Sequence, residues 1–93
     1  MYIAIECNPA AFKHGVSEND IRFTILNALY DDVLDDADDK HLVLGFDRNG
    51  NLLEILYNVI DIDSINVFHA MNCRGIFFHL LENSGGTNGA NDR

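Results

Sequence analysis

Apolar and polar positions are patterned most clearly from Leu42 to Tyr57, LVLGFDRNGNLLEILY, where two apolar runs flank Asp47-Arg48-Asn49-Gly50-Asn51. Asn-Gly between such runs predicts a β-hairpin, because a tight turn needs positive φ at its centre and Asn and Gly tolerate that best. The strands are placed at 40–47 and from 51 to about 61. On the second strand Leu53, Ile55, Tyr57 and Val59 share one face, and Leu52, Glu54, Leu56, Asn58 and Ile60 the other. That mixed second face suggests one side packed on helices and one partly open.

Before the hairpin the period changes. Residues 2–7 read as a short strand; Asn8 caps and Pro9 opens a short helix that Gly15 ends in a left-handed conformation. Ser17 caps a second helix over about 18–29, with Asp20 completing a capping box and Val16 stapled to Ile21. Its buried stripe is Ile21, Ile25, Ala28 and Leu29. Residues 31–39 form a solvated connection, with Val33-Leu34 the one pair suited to a short edge strand. After the hairpin come a turn at Asp61-Ile62-Asp63-Ser64 and a strand over 65–71, with His69 on the face of Ile65, Val67 and Met71. Asn72 is the cap predicted for a last helix over about 74–82, striped by Ile76, Phe77, Leu80 and Leu81. The pattern predicts one α+β domain over residues 1–83 and a disordered tail over 84–93. Its expected form is an antiparallel meander sheet of three to five strands, with two N-terminal helices, one C-terminal helix, and the helices on one face.

Charge changes this picture more than composition does. The net charge is −9, and six of the fifteen acidic residues fall in one stretch: Asp31, Asp32, Asp35, Asp36, Asp38 and Asp39. Such a segment repels nucleic acid at long range and attracts basic partners. Cys7 and Cys73 are far apart and read as two buried thiols of a cytosolic protein, with a disulfide between them as the alternative. No apolar run approaches the ~20 residues of a membrane span, and Met1 leads into YIAIEC without a basic leader. The expectation is a soluble, cytoplasmic protein.

Few residues suggest chemistry. The 47–51 turn fails as a calcium loop, since an EF-hand needs Gly at its sixth and Glu at its twelfth position, where this chain has Leu52 and Asn58. No metal or cofactor is expected. His14, His41, His69 and His79 show no local ligand spacing, which leaves only a site assembled in space. His14 suits a helix C-terminus, His41 stands against the acidic run, and His79 reads as a surface residue. His69 is either a satisfied, semi-buried histidine or, where it meets Arg74 at the sheet's edge, part of a proton-transfer site. Cleaving RNA without a metal needs a group to take the 2′-hydroxyl proton, a group to protonate the leaving oxygen, and cations for the charge on phosphorus.

Three segments in order carry a resemblance: Lys13-His14-Gly15-Val16-Ser17, then LVLGFDRNGNLLEILY, then Val67-Phe68-His69-Ala70-Met71 followed by Arg74. Together, from about residue 8 to 82, the chain resembles the small BrnT-like toxins of bacterial type II toxin–antitoxin systems, most of all their compact actinobacterial branch. The resemblance implies a RelE-like fold, ribonuclease activity that arrests growth, and tight pairing with a small basic DNA-binding antitoxin. It also implies the site: His69 as general acid or base, Arg74 and Arg48 as phosphate contacts, and His14 of the KHGV segment. The acidic residues Asp35, Asp36, Asp38 and Asp39 are then expected to hold the antitoxin. The competing reading is a non-catalytic acidic module of the same fold that binds a basic protein. Apolar residues on the second sheet face fit a homodimer or a bound antitoxin equally well.

Overall fold

The computed structural model describes residues 3–34 and 39–84. It is an α+β domain with one mixed five-stranded sheet. The strands are β1 (Ala4–Cys7), β2 (Tyr30–Val33), β3 (His41–Phe46), β4 (Leu52–Asp61) and β5 (Ser64–Asn72), in spatial order β1-β5-β4-β3-β2. Strands β2 to β5 pair antiparallel with their neighbours, whereas β1 lies parallel to β5, so the sheet is not wholly antiparallel as expected. The described residues hold two α-helices, α1 (Glu18–Leu26) and α2 (Phe78–Ser84). The first of the two expected N-terminal helices is only a 3-10 turn, Pro9–Phe12, capped by the Asn8 side chain as predicted. Asp35, Asp36, Asp38 and the tail expected over 84–93, apart from Ser84, which ends α2, lie outside the described residues.

The helices do not share one face. Leu42, Val43 and Leu44 on β3 are all at most 1% exposed, although consecutive strand residues point to opposite sides. Val43 belongs to the main core with Ile5, Ala11, Ile21, Ile55 and Val67, on which Val16, Ile25 and Ala28 of the α1 region pack. Leu42 faces the other way, toward Ile76, Phe77 and Leu80. A strand covered on both sides reads as an unbroken apolar run, which Leu42-Val43-Leu44 is.

Helix α1 begins as predicted, with the Ser17 hydroxyl accepting the Asp20 N–H at 3.2 Å. It stops three residues short of its expected end because Asn27 folds back onto the Phe23 carbonyl through its side chain, at 2.8 Å. The chain then enters β2 through Leu29 N–H to Leu44 O, and Leu29 is left exposed, not in the buried stripe. The helix lies close on the sheet at Gly45. A methyl group there would meet Thr24 Cγ2 at 3.1 Å and the Thr24 carbonyl oxygen at 3.2 Å. Gly45→Ala is therefore expected to destabilise the fold by about 1–3 kcal/mol by forcing α1 outward. At roughly 4–8 °C per kcal/mol for a domain this small, a thermal melt checks it directly.

The hairpin turn is where the sequence placed it, but an aspartate organises it. The Asp47 carboxylate accepts the N–H groups of Asn49 and Asn51, at 2.8 and 2.9 Å, while Gly50 takes a φ of +83°. Burial works against the Asp47 carboxylate, yet these donors hold its pKa below the ordinary range. At the other side of the sheet Tyr57 ties down β2, its hydroxyl donating to Asp31 at 2.9 Å. His41, expected to neutralise the acidic run, stacks flat on the Tyr57 ring at 4.8 Å.

One irregularity positions the rest. Tyr57 pairs with Val67 and Leu56 with His69, so Phe68 is an extra residue in β5. A bulge of this kind shifts the alternation by one position. Ile65, Val67 and Ala70 are thereby all buried in the main core, while His69 and Met71 move to the opposite face, beside Leu56 and Glu54. The expectation that His69 shares a face with Ile65 and Val67 is wrong for this reason.

Candidate functional site

The bulge brings His69 against a residue that the sequence reading did not single out. Glu54, in the middle of β4, has a fully buried side chain. Its Oε2 accepts His69 Nε2 at 2.9 Å and Arg74 Nη2 at 2.6 Å. Its Oε1 accepts the Arg74 backbone N–H at 2.8 Å, and Arg74 Nε lies 3.1 Å from both oxygens. One buried carboxylate thus orients an imidazole and a guanidinium and also receives the backbone N–H where β5 gives way to the Gly75–Phe77 turn. Asn72, the expected cap, instead ends β5 opposite Leu53, and Arg74 occupies the cap position with no side-chain cap of its own.

Electrostatics set the protonation state of this group. Burial pushes the Glu54 pKa up, but hydrogen bonds from the Arg74 side chain and backbone and from His69 outweigh it, and the pKa falls below the usual glutamate value. An ionised carboxylate only accepts, so His69 Nε2 donates and, in the neutral ring, Nδ1 carries the lone pair. This is the arrangement by which a buried carboxylate fixes an imidazole for proton transfer and stabilises it once protonated.

His14 completes the cluster from a distant part of the chain. It follows the Pro9–Phe12 turn, which is hung on β5 by Asn8 N–H to Val67 O at 2.8 Å. Gly15, with φ +84°, ends the turn beyond it. The His14 ring meets the His69 ring edge-on, with centroids 5.7 Å apart. On the far side the Arg74 guanidinium lies over the Phe77 ring at 5.7 Å. The Arg74 side chain remains 52% exposed, so it faces solvent while held from behind.

Three of the four predicted residues, His14, His69 and Arg74, therefore come together. Arg48 is instead bound to Asp20 at the start of α1, Nε to Oδ1 at 2.8 Å. Asp39 is exposed in a turn; Asp35, Asp36 and Asp38 are outside the described residues. Glu54 was placed on the partly open face; because that face is covered, this lone acid inside LLEILY is buried and needs a cationic partner. Among the described residues no group of three or more His, Cys, Asp or Glu is placed to hold a metal, and both cysteines are free and half-buried. No described helix is long and apolar enough to cross a membrane.

No protein-family model matches the chain, and no curated protein or solved structure matches it significantly.

Proposed function

We propose that the chain is a metal-independent ribonuclease acting through His69, His14 and Arg74, the toxin of a cytoplasmic toxin–antitoxin pair with a RelE/BrnT-like fold. The observation that carries this reading is the buried Glu54 carboxylate holding both His69 and Arg74. Here the same group also fixes an imidazole tautomer, and a second imidazole stands against the first.

The chemistry follows from these groups. His69 Nδ1 takes the proton of a ribose 2′-hydroxyl, and the 2′-oxygen attacks phosphorus. The bond from phosphorus to the 5′-oxygen breaks, and His14 as imidazolium protonates that oxygen. A 2′,3′-cyclic phosphate and a 5′-hydroxyl result. Arg74 stabilises the charge that grows on the phosphoryl oxygens. A basic antitoxin would complement the chain's net charge of −9.

A specific observation favours the second reading, a non-catalytic acidic module that binds a basic protein. Each described arginine already pairs with a carboxylate of this chain: Arg22 with Glu18, Arg48 with Asp20 and Arg74 with Glu54. RNA affinity draws heavily on cations free to meet phosphate. The test is cleavage of total RNA by the purified protein in EDTA. The ribonuclease reading expects cleavage by the wild type that His69→Ala and Arg74→Ala abolish. Arg48→Ala, whose guanidinium is held by Asp20, is expected to cost far less. Absence of cleavage, with and without ribosomes, shifts the reading to the binding module.

A further inference from the structure

A groove of about 280 Å³ runs between the sheet and the C-terminal segment. Tyr30, Leu34 and Leu42 line it from the β2–β3 side, and Ile76, Phe77 and Leu80 from the other. Its lips expose apolar surface: Val33 is 39% and Ile76 66% exposed. Apolar surface left open beside a formed groove marks a place for a partner.

Charge restricts the kind of partner. Asp32 is exposed and lies directly across from Leu42, a groove residue, in the β2–β3 register. Asp39 is exposed as well, whereas Asp31 lies across from Val43 on the other face and is held by the Tyr57 hydroxyl; Lys40 is the one lysine or arginine among positions 31–46, and His79 is the one histidine lining the groove. An occupant must therefore offer apolar side chains to the groove and cations to its rim. Among the described residues β2 pairs with β3 alone, and it ends the strand order of the sheet, which suits an extended segment laid beside it.

The groove also touches the candidate site. Phe77 is one of its walls and is the same ring that lies under the Arg74 guanidinium. We propose that this groove docks a basic, apolar-anchored segment of a protein partner, and that the occupant controls Arg74 through Phe77. The docking half stands on the groove alone; the control half rests on the ribonuclease reading.

The test uses the full chain and a short capped peptide alternating lysine with leucine as the probe. Binding is measured by calorimetry at low salt and located by amide chemical shifts. Asp32→Lys is compared with Glu6→Lys, which makes the same charge change on the exposed outer face of β1 at the opposite edge of the sheet. The expected result is binding that shifts the amides of residues 30–34 and 76–80. Asp32→Lys should weaken it by about tenfold or more and Glu6→Lys by much less. No binding, or equal weakening by the two variants, overturns the docking proposal, the latter by showing diffuse attraction. RNA cleavage with and without peptide tests control: suppression in the wild type but not in Asp32→Lys supports it. Cleavage unchanged at saturating peptide overturns control, while the binding result stands by itself even if the protein cleaves no RNA.

Discussion

Glu54→Gln is expected to lower stability by about 2–3 kcal/mol and to cut RNA cleavage by roughly a hundredfold or more. The amide keeps the size of the carboxyl but turns one acceptor oxygen into a donor. It would then face His69 Nε2 and the Arg74 guanidinium and N–H, which are donors themselves. Hydrogen bonds to a charged group contribute about 1.5–3 kcal/mol each, and breaking a buried ion pair costs about 3–5 kcal/mol. The expected loss falls below the ion-pair figure because the half-exposed Arg74 can turn to water. Denaturant melts at neutral pH measure the loss. Acid gives the sign. Because the folded Glu54 pKa lies below its unfolded value, its stabilisation is complete above roughly pH 4.3 and fades as pH falls through the folded pKa. The wild type should therefore lose stability below that pH more steeply than Glu54→Gln, and parallel acid profiles would sink the assignment. Catalysis should fall with the variant because His69 then loses the acceptor that selects its tautomer, an effect a purely structural role does not predict at temperatures where both proteins are folded.

Removing either imidazole gives the largest expected effect on activity. A positioned general acid or base contributes typically 10²–10⁴-fold, so His69→Ala and His14→Ala should each cost about that much. Their effects should not add: once one proton-transfer partner is missing, deleting the other costs little more. The double variant is thus expected within about tenfold of the worse single one. Stability should change little in His14→Ala, whose side chain is exposed. Single-turnover cleavage of a short RNA by the two single variants and the double one checks the rates, and a thermal melt checks the stability; a His14→Ala rate equal to that of the wild type removes it from the mechanism.

Local chemistry was legible where it is encoded by neighbours. Ser17 with Asp20, Asn8 with Pro9, and the turn at Asn49-Gly50 all lie where nearest-neighbour rules put them. What the residues did not reveal depends on pairing across the sheet. Nothing near Phe68 announces a bulge, because an extra residue is defined only against the partner strand, and so His69 was placed on the wrong face. Glu54 was overlooked for a related reason: its partners are 15 and 20 residues away and reach it only after that shift. The parallel pairing of β1 with β5 was equally hidden, since no local signal distinguishes a strand that returns to the far edge from one that starts a meander. The second face was expected to be partly open, although Leu42-Val43-Leu44 is an unbroken apolar run that a half-exposed strand would not carry.

The pairing of β1 with β5 has a consequence for the order in which a chain is made. β1 leaves the ribosome before every other strand of the sheet, but its only strand partner among the described residues is the last of them, β5. His14 meets His69 only because the Pro9–Phe12 turn hangs on β5 by the Val67 carbonyl. At synthesis rates of about 5–20 residues per second, the first strand waits seconds for its place. No nascent chain that stops short of Arg74 carries the cluster, so translation itself delays whatever chemistry the cluster performs until the polypeptide has been released far enough to fold as a whole.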